Sequence, residues 1–246
     1  MYRFTAFTAF VVLAVGAQAA DYRITITDTG PQPLSPLFFS ASDSSFDIIN
    51  VGGTASAGIK RIAETGNAAT ELSIAAAAGS SVASYGLIGA SPLTPGSTRT
   101  ILFSTDAAHP YFSFAAMLGK TNDGFIGESV SSMGLNLFSG GKPQGFTVDV
   151  FGTRAWDAGT EKNTQNLIDL NTLGGTENPQ EDPADAHIRV HGGIIPNVGD
   201  SWQLLPNWAT STQLAHIQVQ AVPEPTTVVG LAMGGLALLR RRGRRN

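Results

Sequence analysis

The sequence predicts an all-β fold: an antiparallel β-sandwich with one or two short helices in its first half. Three observations predict it. Short runs alternate polar and apolar residues, turn signals rich in glycine and proline recur along the chain, and only two short stretches have helical spacing.

Residues 23–27 alternate, as a half-buried strand does, and Gly30, Pro31 and Pro33 end the run. Residues 58–64 have helical spacing and stop near Gly66, and residues 71–78 form a second candidate helix. A loop with Pro92, Pro95 and Gly96 precedes a strand at 98–103. Residues 111–118 are an apolar strand with small side chains. Residues 145–151, 187–191 and 216–220 alternate again. Residues 171–185, rich in Gly, Asn, Pro and acids, read as a long mobile loop. The sequence shows no internal repeat.

Both ends carry sorting features. Arg3 precedes an uncharged apolar run over 4–15 and then Ala17-Gln18-Ala19, the layout of a signal peptide, which places a cut after Ala19. At the other end stand Pro223-Glu224-Pro225, an uncharged segment at 226–239, and Arg240, Arg241, Arg242, Arg244 and Arg245. A segment this short spans a bilayer only by thinning it or by snorkelling, and the arginines hold that end on the cytoplasmic side. This tail resembles the PEP-CTERM sorting signal of Gram-negative bacteria. The resemblance implies recognition by an exosortase, removal near the Pro-Glu-Pro, and a host that makes extracellular polysaccharide. The expected division is a signal peptide at 1–19, a domain at 20–222 and a sorting signal at 223–246. The expected product is exported to the cell surface or beyond, and anchored in the membrane until it is processed.

The chain has no cysteine, so its domain of about 200 residues must rely on its core. Arg3 and the tail arginines are six of its 15 basic side chains, and Glu224 is one of its 19 acids. The domain is left with 9 basic and 18 acidic groups, a net charge near −9. Such a body repels nucleic acid and can hold divalent cations where carboxylates converge.

Two acidic loops stand out, one at 121–128 with Asp123 and Glu128, the other at 156–161 with Asp157 and Glu161. Carboxylates four apart around a glycine can face one ion, and calcium takes six to eight hard oxygens. The competing reading is an Asp that caps a turn beside a solvated Glu. Residues 114–127 resemble the spondin N-terminal domain, whose pattern is S-M-(apolar)-x-x-(S/T)-x-D-x-F-(apolar)-G. Residues 156–161 are similar to its aromatic-D-A-G-T-(D/E) segment, and 189–194 to its V-H-x-G-I stretch. The likeness runs in order over residues 22–221. It implies a C2-like antiparallel sandwich that binds calcium through loop carboxylates, with Asp123, Asp157 and Glu161 as ligands and no enzyme activity. Glu161 stands where Asp is commoner, and Ala116 where Ser is common; Glu128 is a weaker candidate.

Rival sites are thinner. His187 and His191 with Asp185 have a zinc-like spacing only on a helix, and this segment reads as a strand, so structural histidines are expected. No G-x-S-x-G elbow occurs, and neither Gly86 with Gly89 nor Gly140 with Gly141 forms a phosphate loop. Trp156, Trp202 and Trp208 suit a core better than a sugar platform. The expected function is a non-enzymatic, calcium-binding module for adhesion, extracellular matrix or exopolysaccharide. The alternatives are a polysaccharide hydrolase with a carboxylate pair, or a matrix filler without a ligand.

Overall fold

The computed structural model describes residues 19–164, 186–193 and 207–223. The leader, the loop at 171–185, Trp202, and the tail from Glu224 on, including 226–239, lie outside the described residues. Among the described residues no helix is long and apolar enough to cross a membrane.

The strands come in chain order as β1 (Ala20–Asp28), β2 (Leu37–Ser42), β3 (Val82–Ile88), β4 (Thr98–Thr105), β5 (Tyr111–Met117) and β6 (Gly124–Glu128). Three two-residue strands follow: β7 (Leu135–Asn136), β8 (Phe138–Ser139) and β9 (Lys142–Pro143). The last are β10 (Phe146–Phe151), β11 (Ala155–Asp157), β12 (Arg189–Val190) and β13 (Gln213–Val222). Two helices, α1 (Ala57–Thr65) and α2 (Ala69–Ala77), lie between β2 and β3.

A four-stranded sheet runs β10-β13-β1-β4, and a seven-stranded sheet runs β12-β11-β6-β5-β2-β3 with β7 added beside β5. Their pairings are antiparallel. The small sheet alternates as expected. Tyr22, Ile24 and Ile26 of β1 and Leu214, Ile217 and Val219 of β13 point inward, where they meet Phe39, Phe112, Phe114 and Ile126 of the large sheet. Burying side chains of this size stabilises by about 1.5–3 kcal/mol each.

The large sheet is covered on its other face too. Phe38, Ala115 and Phe125 pack against Ile59, Ile62 and Ala63 of α1 in a second core. The Ser56 hydroxyl caps α1 by accepting the Ile59 N–H at 3.1 Å, and Gly66 ends it in the left-handed conformation (φ 70).

Three expectations need correction. The loop expected at 121–128 is largely strand β6, and the second acidic loop begins inside strand β11. Both segments resist alternation because both faces of this sheet are buried. The strand expected at 187–191 pairs over Arg189–Val190 alone, bounded by the glycines after His191.

Candidate metal site

The site is built where β6 begins and β11 ends. Asp157 lies opposite Gly124 of β6 on one side and Arg189 of β12 on the other. Asp123 immediately precedes β6. The Thr121 hydroxyl donates to Leu118 O at 2.7 Å and accepts the Gly124 N–H at 2.9 Å, so the turn delivering Asp123 is tied down from inside. A β-carbon at position 124 would sit 2.7 Å from the Thr121 hydroxyl and 3.0 Å from the His191 ring, so glycine is needed there for space.

The two segments are then joined through Asp123. Its Oδ2 accepts the backbone N–H groups of Thr160 at 2.7 Å and Glu161 at 3.0 Å, and its carbonyl accepts the Ala158 N–H at 3.1 Å. Asp157 shapes its own turn, with Oδ1 accepting the Gly159 N–H at 2.8 Å where φ is 67. Its Oδ2 accepts from Asn163 Nδ2 at 2.5 Å and Arg189 Nη2 at 3.2 Å.

All three expected ligands are buried: Asp123 is 0 % exposed, Asp157 3 % and Glu161 1 %. Burial, then the charge of Asp157, pushes the Asp123 carboxyl up to about 7, against the pull of its backbone hydrogen bonds. Asp123 Oδ1 is buried without a hydrogen bond among the described residues. An oxygen-rich junction with an orphaned carboxylate oxygen fits a hard cation in its donor chemistry. The geometry is partial. Glu161 meets Asp123 through its backbone N–H, and among the described residues no three acidic or imidazole side chains gather as a metal shell.

Both acidic turns lie inside a stretch that matches one known protein family. The chain belongs to the Spondin_N family. The family profile matches residues 27–168, more than half of the 246-residue chain, and that span contains Asp123, Asp157 and Glu161. It stops short of Arg189, His191 and β13, although β13 pairs with both β1 and β10 and so completes the small sheet. No curated protein shows a significant match to the chain.

Of two other candidates in this Spondin_N chain, Glu128 lies away from the site and His191 borders it, close enough to feel the charges of Asp157 and Arg189. Glu128 ends β6, where Arg154 Nη1 and the Ser132 hydroxyl donate to it. His191 is 3 % exposed beside Trp208, with ring centroids 5.1 Å apart, and its Nδ1 accepts the Gly193 N–H at 3.2 Å. Burial pushes His191 toward neutrality, and it bonds loop backbone, a structural role as expected. Trp156 and Trp208 are core residues, as expected. Sequence reasoning missed Asn163 and Arg189. Arg189 had a faint signal, since it opens the V-H stretch; Asn163 had none.

Proposed function

We propose that the mature chain is an exported, non-enzymatic, calcium-binding sandwich of C2-like type. In this reading it mediates adhesion by holding extracellular polysaccharide or matrix protein, after an exosortase has removed the tail at Pro223-Glu224-Pro225. The observation that carries the calcium reading is the buried Asp123–Asp157 pair with its orphaned Asp123 Oδ1. Arg189 contributes one positive charge to Asp157 Oδ2, and calcium would balance the remaining repulsion while fixing both turns. What weighs against the hydrolase reading is burial: a glycosidase needs its carboxyls facing each other across an open cleft, and these acids are sealed.

The test is thermal melting of the purified chain in calcium and in chelator, together with a pull-down from native matrix in each buffer. A higher melting temperature and greater capture in calcium are expected. Equal melting in both buffers overturns the calcium reading.

A further inference from the structure

The opposite end of β6 opens into a cleft of about 510 Å³, within the usual range for small-ligand sites. Three segments form it: the turns at 50–51 after Ile49 and 131–132 after β6, and the 3-10 helix Gly152–Arg154 before β11. Asn50, Ser131, Ser132, Thr153, Arg154 and Trp156 line it.

The chemistry of this lining selects its occupant. Trp156 is 7 % exposed and its indole N–H donates to Gly127 O at 2.8 Å, so it offers the cleft no more than a carbon edge; Val51, 45 % exposed, supplies the rest of the apolar lining. Arg154 is held by the buried Glu128, itself fixed by the Ser132 hydroxyl at 2.9 Å. The guanidinium is therefore rigid, its charge is balanced, and the rest of its five-donor fork remains for a ligand. Asn50 and Thr153 are exposed and add an amide and a hydroxyl.

Charge excludes an anionic occupant. Glu128 cancels Arg154, Asp47 accepts from the Ser129 hydroxyl and the Ser131 N–H next to the cleft, and the domain is acidic. An uncharged ring with many hydroxyls and an apolar face matches what remains.

We propose that this cleft binds one or two rings of a neutral pyranose polysaccharide, so that the module grips uncharged matrix glycan here rather than at its acidic end. This rests on the matrix-binding reading above but not on calcium.

The experiment titrates the full-length chain calorimetrically with cellohexaose, laminarihexaose, maltohexaose and mannohexaose, and with an alginate hexamer as the acidic comparison. Melting in calcium and in chelator is recorded on the same samples. At least one neutral hexamer is expected to bind with a Kd of about 1 mM or tighter. Asn50→Ala with Thr153→Ala should weaken that binding by about fivefold or more. Thr153→Trp, which fills the cleft from an exposed position, should abolish it without changing the melting temperature. Absence of binding by all four neutral hexamers up to about 10 mM overturns the proposal. So does binding of alginate alone, or binding indifferent to Thr153→Trp. A calcium shift without sugar binding sinks the cleft and spares the calcium site; sugar binding without a calcium shift does the reverse.

Discussion

The two ends of β6 bury carboxylates in opposite ways. At its last residue, Glu128 is 0 % exposed yet has a cation, Arg154, and a hydroxyl, Ser132, supplied by the chain. Just before its first residue, Asp123 is equally buried, but its neighbour is another carboxylate, Asp157, and one of its oxygens has no hydrogen bond among the described residues. The ends are about 13 Å apart along one strand. The difference teaches what a buried acid needs. An internal cation makes the acid a structural element, whereas a paired acid raises its neighbour's pKa and leaves room for a cation from solution.

The largest effect should come from breaking the balanced end. Arg154→Met removes the guanidinium while keeping an apolar stem, and so leaves Glu128 buried and uncompensated. A loss of about 3 kcal/mol in urea unfolding is expected, at the low end for buried pairs because Arg154 is 33 % exposed. Calcium should not restore it, whereas adding Glu128→Gln should recover most of it. A loss below about 1 kcal/mol would mean that the pair acts as a surface bridge.

The unbalanced end should respond to metal instead. Calcium at a hundredfold excess over its dissociation constant should stabilise the wild type by about 2.7 kcal/mol. Asp157→Asn keeps the shape, removes a charge and should lose most of that gain. Lys162→Ala, next to the site on an exposed residue, should respond to calcium as the wild type does. If Asp157→Asn melts with the same calcium shift as the wild type, the two ends of β6 do not differ in the way described.

The same contrast explains what was legible in the sequence. Strand β1 buries Tyr22, Ile24 and Ile26 on one face and leaves Arg23 exposed, so period two was visible. Strands β2, β5 and β6 are buried on both faces, between the small sheet on one side and α1 on the other. Their sequences carry no alternation, so β5 reads only as an apolar run and β2 and β6 leave no strand signal. Asp123 and Asp157 were legible through a family pattern, whereas the Arg189 contact depends on a pairing across 32 residues that no local signal encodes. Glu128 shows the reverse failure. Its short sequence distance from Asp123 makes it a weaker candidate, and the strand carries it away.

A third buried carboxylate sharpens the comparison, because it has neither an internal cation nor a paired acid. Glu71 of α2 is 1 % exposed, and its Oε2 has no hydrogen bond among the described residues. It lies against Gly58 of α1 so closely that a β-carbon there would sit 1.7 Å from Oε2. Burial alone pushes Glu71 up from 4.5 to about 7. Below the unfolded value the carboxyl is protonated in both states and has no effect on stability. As pH rises from about 4.5 to about 7, the unfolded chain releases the proton while the folded chain retains it, so stability falls across that window. The fall is bounded at about 3 kcal/mol and is smaller where water relaxes around the charge. Asp28, raised by burial to about 7, and Asp123 titrate in the same window, so the informative quantity is a difference between two proteins. Glu71→Gln should gain about 1–2 kcal/mol over the wild type at pH 8 and nothing at pH 4. Urea unfolding at pH values from 4 to 8 measures this directly. Parallel curves for the two proteins would show that Glu71 finds a partner for its charge, and that burial without an internal cation is not what separates the two ends of β6.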